Sequence, residues 1–186
     1  MNKNAPTIDQ IKIGRDYYLS HRQPYAPQDV RLVIVAESPP KNGTYIYDRD
    51  GRTSEWLFAA LMKQLRFVPK TKDEGLRELQ KKGWVLVDAT YQPVDGEKNN
   101  KKRDEVILRD YPSLKTALEK MLADKSVPIV LIKVNVCDAL EPKLKADGFN
   151  VINNGIRVSF PSHGRQPDFH RQFGAVLKSA GISSLP

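Results

Sequence analysis

A nearly continuous apolar run at residues 30–36 constrains the fold of this chain more than any other feature. The run reads Val-Arg-Leu-Val-Ile-Val-Ala and is rich in β-branched residues. A strand inside a parallel sheet is buried on both faces and has such a run, whereas a half-exposed antiparallel strand alternates apolar and polar residues. We therefore expect residues 30–36 to form the central strand of a mostly parallel sheet.

Three later segments have a similar strand-like character, and helix-like segments lie between and around them. The further strand candidates are residues 84–87, 127–132 and 157–160, and the helix candidates are residues 8–20, 54–65, 104–123, 135–147 and 168–180. Because proline disfavours helix interiors, residues 104–123 are interpreted either as one longer helix or as a helix pair broken near Pro112, and Pro142 is a candidate site for a kink. In the second helix we expect Trp56 and Ala60 to pack on the sheet. The alternation predicts an α/β fold: one domain over residues 1–186, with three layers (α/β/α) around a central, mostly parallel four-stranded sheet.

Composition and charge narrow the classes of protein. The chain has 186 residues, of which 40% are hydrophobic, and no apolar run approaches the ~20 residues that span a bilayer. Residues 1–6 lack the apolar segment of a secretory signal, so we expect a cytoplasmic protein that does not bind membranes. Cys137 is the single cysteine, and only three histidines accompany it, so we expect no metal and no cofactor. The net charge of +8 favours polyanionic partners, although a basic surface also serves solubility alone.

Loops that follow the strands are the candidates for chemistry, because ligands of parallel α/β sheets bind at the carboxyl ends of the strands. Glu37 follows the first strand in a turn stiffened by two prolines, Asp88 follows the second, and His163 lies in the loop after the last. Two carboxylates and an imidazole form a workable set for hydrolysis, and we expect them to converge on one pocket. The alternative is that the carboxylates cap turns and His163 is a surface residue.

Two other segments have two possible interpretations each. Tyr45 and Tyr47 offer aromatic rings that either stack on a nucleobase in a pocket or pack in the core. The basic stretch at residues 98–103 is interpreted as an exposed loop that either adds to a phosphate-binding surface or is only solvated. The chain lacks glycine-rich phosphate loops, a His-Glu-x-x-His motif and a Gly-x-Ser-x-Gly elbow, which argues against nucleotide-binding, zinc-dependent and serine hydrolase classes.

Taken in chain order, these loops resemble the uracil-DNA glycosylase superfamily, in which this chain would be a divergent member. Ala36-Glu37-Ser38-Pro39 is similar to the Gly-Gln-Asp-Pro or Gly-Glu-Ala-Pro motif after the first strand of that family. Phe160-Pro161-Ser162-His163 is similar to its His-Pro-Ser loop and precedes a closing helix. The resemblance extends from about Val30 to the C-terminus. The chain departs from the family at Ser38, at Phe160 in place of histidine, and at Asp88 in place of a base-reading asparagine.

The resemblance implies hydrolysis of the N-glycosidic bond between uracil and deoxyribose in DNA, without a metal. A uracil flipped out of single- or double-stranded DNA would enter a pocket and leave as free uracil. The resemblance implies four catalytic residues. Glu37 would position water or stabilise the sugar cation, Ser38 and Asp88 would contact the base or water, and His163 would donate to a uracil carbonyl oxygen. The implied base-binding residues are Pro39, Tyr45, Tyr47 and Phe160. The implied DNA-binding residues are Ser162, Gly164, Arg165, Lys101, Lys102 and Arg103, and the expected state is a monomer.

Two alternatives to a glycosylase stay open at this point. One is a protein of the same fold that binds DNA or a free base without cleaving it. The other is a small-molecule α/β enzyme whose basic surface is incidental. Salt-dependent binding of DNA without turnover would favour the first, and the absence of DNA affinity at low salt would favour the second.

Overall fold

A parallel sheet of three strands, in the order β2-β1-β3, forms the centre of the molecule. The computed structural model describes residues 14–41 and 44–182. The strands are β1 (Leu32–Ala36), β2 (Trp84–Asp88) and β3 (Ile129–Leu131), and every residue in them is buried. The apolar run at residues 30–36 therefore supplies the central strand, β1, as predicted.

Within residues 14–41 and 44–182 the sheet has three strands, so the expectation of four is wrong. The segment expected as the fourth strand makes a single parallel bridge, between Ile132 and Val158. The reason lies in Asn153, whose side chain occupies the edge of β3 in place of a backbone partner. Its Oδ1 accepts from the Leu131 N–H at 2.7 Å, and its Nδ2 donates to the Leu131 carbonyl at 3.0 Å. The buried amide thus satisfies the Leu131 backbone groups that a fourth strand would otherwise pair, while Ile129 at the start of β3 bonds to the backbone of Asn150 and Ile152.

Helices cover both faces of the sheet, as expected for a three-layer α/β/α arrangement. They are α1 (Arg15–Arg22), followed by a 3-10 turn at Gln23–Tyr25, then α2 (Trp56–Gln64), α3 (Lys72–Lys81), α4 (Asn100–Met121), α5 (Val134–Ala146) and α6 (Gln166–Ser179). On one face, Leu32 and Ile34 pack with α1, α2, α3 and α6. On the other face, Val33 and Val35 pack with α4 and α5. None of the helices within the described residues is long and apolar enough to cross a membrane.

The predicted helices lie close to the observed positions, but some of their predicted contacts and bounds differ. Ala60 is buried as expected, but Trp56 is largely exposed and does not pack on the sheet. Of the predicted helix 8–20, residues 8–13 lie outside the described residues. Helix α3 was not predicted, because Leu76 and Leu79 are its only buried large apolar residues and Gly75 interrupts the pattern. That glycine is required by packing, since a Cβ there would lie 2.4 Å from the Phe58 ring.

Helix α4 runs without a break through Pro112, so the interpretation as one longer helix is confirmed and the broken helix pair is wrong. Leu114 and Leu118 beyond the proline and Ile107 before it all lie in the core, and their burial offsets the lost backbone hydrogen bond. The basic stretch is also not a loop throughout, because residues 100–103 form the first turn of α4. Asn99 caps that turn by accepting a hydrogen bond from the Lys101 N–H at 3.0 Å.

Candidate active site at the carboxyl ends of the strands

The order β2-β1-β3 creates a topological switch point between β1 and β3. From β1 the chain crosses one face to β2, and from β2 it returns over the other face to β3. The carboxyl ends of the two strands beside such a point border a crevice in which ligands of α/β proteins bind. Here Glu37 directly follows β1, and Lys133 lies two residues beyond the end of β3.

Glu37 is a buried carboxylate held by three side chains. Arg103 donates from Nε to Oε1 at 3.1 Å and from Nη2 to Oε2. Lys133 donates to Oε2, and Asn135 Nδ2 donates to Oε1 at 2.7 Å. We call these four residues the Glu37 cluster. Its carboxylate is bound on both oxygens by groups from the first turns of α4 and α5 and from the loop between β3 and α5.

The electrostatics of the cluster keep Glu37 ionised. Burial by itself raises the pKa of this carboxyl, but the hydrogen bonds from Arg103, Lys133 and Asn135 outweigh burial and leave the pKa below its usual value. A carboxylate of this kind is a weak base at neutral pH. Its fixed negative charge is nevertheless suited to stabilising a positive charge that develops nearby.

The backbone conformation after β3 positions Lys133 and Asn135 in the Glu37 cluster. Lys133 has a φ of 80°, in the region that side chains rarely adopt, and its N–H donates to the Val158 carbonyl at 2.7 Å. The chain therefore turns sharply into α5. Asn135 donates from the same Nδ2 to Asp104 at 3.2 Å, and its own Oδ1 is buried without a hydrogen-bond partner within the described chain. Strained backbone and an unsatisfied buried polar atom are features that occur often at functional sites.

A second feature of the same end of the sheet is a cavity of about 520 Å³ beside Asp88, the last residue of β2. Arg15, Arg22, Tyr91 and Asp110 also line it. Asp88 Oδ2 is buried and has no hydrogen-bond partner among residues 14–41 and 44–182. Burial raises the pKa of Asp88 to about 7, although the charge of Arg22 and the nearby Tyr45 hydroxyl oppose this rise. Asp88 is therefore partly protonated at neutral pH.

Tyr91 and Arg22 shape this cavity, and neither was singled out from the sequence. Arg22 Nη1 donates to the Tyr91 hydroxyl at 3.0 Å, and the Arg15 guanidinium lies 5.8 Å from the centroid of the Tyr91 ring. For Tyr91 a signal existed, since it lies three residues after Asp88 in a strand-end loop. For Arg22 none existed, because it reaches the cavity from a helix 69 residues earlier in the chain.

Glu37 and Asp88 lie at neighbouring strand ends, but their side chains do not enter one pocket. Ala36 pairs with Asp88 in the ladder, and the Thr90 N–H donates to the Glu37 carbonyl at 3.1 Å. Burial and the charge of Asp88 raise the pKa of Tyr45, which lies on the face of the sheet that α1 and α2 cover. Glu37 contacts residues of α4 and α5 on the opposite face. The expected convergence on one pocket is thus replaced by two groups that border the same end of the sheet.

His163 is not brought to either carboxylate. It is exposed, its ring centroid lies 4.6 Å from that of Trp56, and it makes no hydrogen bond or ion pair with Glu37 or Asp88. The surface interpretation, left open from the sequence, is the one that agrees with the structure. An electrophilic role for His163 at a base held beside Asp88 therefore has no geometric support.

The remaining predicted base-binding and catalytic residues have mainly structural contacts. Tyr45 and Tyr47 are buried in the core, where the Tyr47 hydroxyl donates to the Leu86 carbonyl at 3.1 Å and accepts from its N–H at 2.8 Å. They do not offer the open ring faces that were the alternative. Ser38 Oγ accepts from the Val94 N–H at 3.3 Å. Pro39 is buried and Phe160 is half-buried.

The predicted DNA-binding residues divide into two groups. Gly164 and Arg165 are exposed and Ser162 is half-buried, all in the turn before α6, where the Arg165 N–H donates to the Ser162 carbonyl at 2.9 Å. On α4, Lys101 and Lys102 are exposed as expected. Arg103 is bound to Glu37, so it belongs to the cluster and not to a free basic surface.

Comparisons give no independent identification. The sequence matches no model of a known protein family. It also matches no curated protein. Within the described residues, no three histidine, cysteine, aspartate or glutamate side chains are grouped so that they could hold a metal ion.

Proposed function

We propose that this protein is a DNA glycosylase that hydrolyses the N-glycosidic bond of uracil, with the target base in the cavity beside Asp88. The observation that carries the proposal is Asp88 itself. It is a buried carboxyl with a free Oδ2, it lines a cavity of about 520 Å³, and it ends the strand next to the one that carries Glu37. A cavity of this size suits a single nucleoside and little more.

The protonation state of Asp88 matters for reading the base. A protonated carboxyl has one O–H donor and one carbonyl acceptor, which is the pattern of an amide. Uracil has a carbonyl acceptor next to an N–H donor, so a protonated Asp88 complements this edge as an asparagine would. Tyr91 lines the same cavity and provides an aromatic face on which a flipped base could stack.

Cleavage of the bond develops negative charge on the departing uracil and positive charge on the sugar. The Asp88 hydroxyl would donate to a uracil oxygen as its charge grows, and the ionised Glu37 would stabilise the sugar cation and orient water. Both Glu37 oxygens are occupied by donors. Among the described residues, Oε2 is bound by Arg103 and Lys133 alone, so a DNA phosphate that attracted both cations would free this oxygen for water, and substrate binding would itself activate the carboxylate.

The test is a cleavage assay on a uracil-containing oligonucleotide, single- and double-stranded, with alkali to break abasic sites. We expect product with the wild-type protein and a loss of about 100-fold or more in Asp88→Ala and Glu37→Gln. Glu105→Gln changes an exposed carboxylate elsewhere on α4 and should keep the wild-type rate. Thermal unfolding of each variant separates lost chemistry from lost folding. No product on either substrate would reject the proposal.

The saturation of Glu37 by three donors favours one second candidate. A carboxylate that stays bound to Arg103 and Lys133 cannot hold water, and such a protein would bind DNA or a free base without cleaving it. Salt-dependent binding of the uracil oligonucleotide without product, at protein in excess over DNA, would favour this candidate over the glycosylase.

A further inference from the structure

We infer that Trp56 and His163 form an exposed aromatic platform that stacks on an unpaired base of single-stranded DNA. The inference rests on the proposed function in one respect, that the substrate is DNA. Trp56 is 48% exposed, and the two ring centroids are 4.6 Å apart with the rings tilted by 59°, so Trp56 would supply the stacking face and His163 packs beside it. His163 is itself exposed. The platform lies outside the cavity beside Asp88, so it would hold a neighbouring nucleotide and not the target base.

The platform is built from two elements that are tied together. Trp56 is the first residue of α2, and His163 lies in the turn before α6. Gln166 Nε2 donates to the Trp56 carbonyl at 3.2 Å and to the Pro161 carbonyl at 2.7 Å, which joins the start of α2 to that turn. The Gln166 side chain therefore fixes the position of Trp56 relative to the turn that carries His163.

The turn that carries His163 has two consecutive residues with positive φ. The φ of His163 is 45°, in the left-handed region that few non-glycine residues adopt and in which histidine is enriched among them, and Gly164 follows with a φ of 78°. A non-glycine residue in this region persists only where the surroundings fix it, and such residues are frequent at binding sites.

The platform lies at the end of the sheet that carries the candidate active site. Helix α2 is reached from the carboxyl end of β1, and α6 is reached from Val158, which bridges to Ile132 next to the end of β3. Both helices pack on the face of the sheet that also buries Tyr45, the neighbour of Asp88. The cavity beside Asp88 is lined from α1, the end of β2 and α4, so a strand with its target base there would reach the platform across the carboxyl ends of the strands.

Charge favours nucleic acid as the partner over an apolar protein surface. Arg165 is 65% exposed in its side chain, and it shares Asp168 with the equally exposed Arg171, so two guanidinium groups face one carboxylate. The whole chain carries a net charge of +8. Aromatic rings beside cations bind single strands, because bases stack on the rings while phosphates contact the cations. In a duplex each base is stacked between its neighbours, so its faces cannot contact the aromatic rings, and the platform would bind an unpaired strand.

The two tryptophans of this chain make the test direct. Trp84 is only 5% exposed, so added ligand that quenches tryptophan fluorescence reports on Trp56. We expect titration with an oligothymidylate, which lacks uracil and cannot be processed, to quench the fluorescence. Trp56→Ala should lose this quenching and weaken oligothymidylate binding, measured by anisotropy of a labelled strand, by about 10-fold or more. Trp56→Phe should retain most of the affinity.

Val68→Ala is the matched control, since Val68 is 91% exposed and lies beyond the other end of α2. It should bind oligothymidylate as the wild type does. Wild-type affinity in Trp56→Ala would overturn the inference, whatever the cleavage assay gives. Affinity that depends on Trp56 without any cleavage of uracil DNA would support the platform and reject only the glycosylase. Loss of self-association in Trp56→Ala at unchanged DNA affinity would assign the platform to a contact between copies and also overturn the inference.

Discussion

Glu37 directly follows β1 and Asp88 ends the neighbouring strand β2, their side chains lie on opposite faces of the sheet, and the pKa values of their carboxyl groups are shifted in opposite directions. Burial dominates at Asp88 and raises its pKa to about 7, while three hydrogen-bond donors at Glu37 overcome burial and lower its pKa. Two carboxyl groups kept in different protonation states supply an acid and an anion at one pH. This difference is the basis of the division of roles proposed above.

The first prediction concerns the pH dependence of uracil cleavage. If the protonated form of Asp88 reads the base, single-turnover rates should fall as pH rises through about 7, because the group then ionises. Asp88→Asn replaces the protonated carboxyl with an amide that cannot ionise, so its rate should stay constant from about pH 6 to about pH 9. The measurement is the rate of abasic-site formation with enzyme in excess.

Glu105→Gln serves as the control for this profile, because Glu105 is exposed and does not line the cavity beside Asp88. It should show the same fall in rate as the wild type. A wild-type rate that rises through pH 7, or an Asp88→Asn variant with the wild-type profile, would contradict the assignment of Asp88 as the base-reading group.

The second prediction concerns the contribution of Glu37 to stability. Glu37→Gln leaves the charges of Arg103 and Lys133 without their carboxylate in a largely buried place, so unfolding free energy at pH 7 should fall by about 2–4 kcal/mol. The pKa of Glu37 is lowered in the folded protein, so its contribution is present above the unfolded pKa of about 4.3 and is lost as pH falls through the folded pKa. Urea unfolding of both proteins at pH 7 and pH 3.5 measures the difference.

At the lower pH the difference between wild type and Glu37→Gln should shrink. Glu74→Gln is a suitable control, since Glu74 is an exposed acidic residue in the first turn of α3. Its effect should remain below about 1 kcal/mol at either pH. An equal loss of stability in the two variants would mean that the Glu37 cluster is not a distinct source of stability.

Local patterns predicted the strands and the carboxylates at their ends, but not the partners of those carboxylates. The run at residues 30–36 is buried because both faces are apolar, and this can be seen in the sequence. Arg103 and Lys133 are 66 and 96 residues from Glu37, and no periodicity indicates which cation will meet it. The sequence left two interpretations for Tyr45, base stacking or core packing. Its ring contacts that of Tyr18 in α1, at 4.9 Å between centroids, so it packs in the core.

The third prediction addresses Pro112, which lies inside the unbroken helix α4. Its side chain is exposed within α4, so it contributes no burial, and its missing N–H leaves the Leu108 carbonyl without the usual helical partner. Pro112→Ala should therefore raise the unfolding free energy by about 1–3 kcal/mol. Urea unfolding measures this, with Glu105→Ala on the same helix expected to change it by less than about 0.5 kcal/mol. A destabilised Pro112→Ala would show that the proline serves the helix in another way.

The last prediction concerns Asn153, whose amide takes the place of a fourth strand beside Leu131. Aspartate has the same shape, and when protonated it can donate to the Leu131 carbonyl as the amide does; when ionised it cannot, and a buried charge results. Burial should raise the pKa of the new carboxyl, so Asn153→Asp should be destabilised by about 2–4 kcal/mol at pH 8 and by less at pH 5, as urea unfolding would measure. Asn150→Asp alters an exposed asparagine bound only to the Ser126 carbonyl, at 2.7 Å, and should lack this pH dependence. The same pH response in both variants would mean that the buried amide does not determine the edge of the sheet.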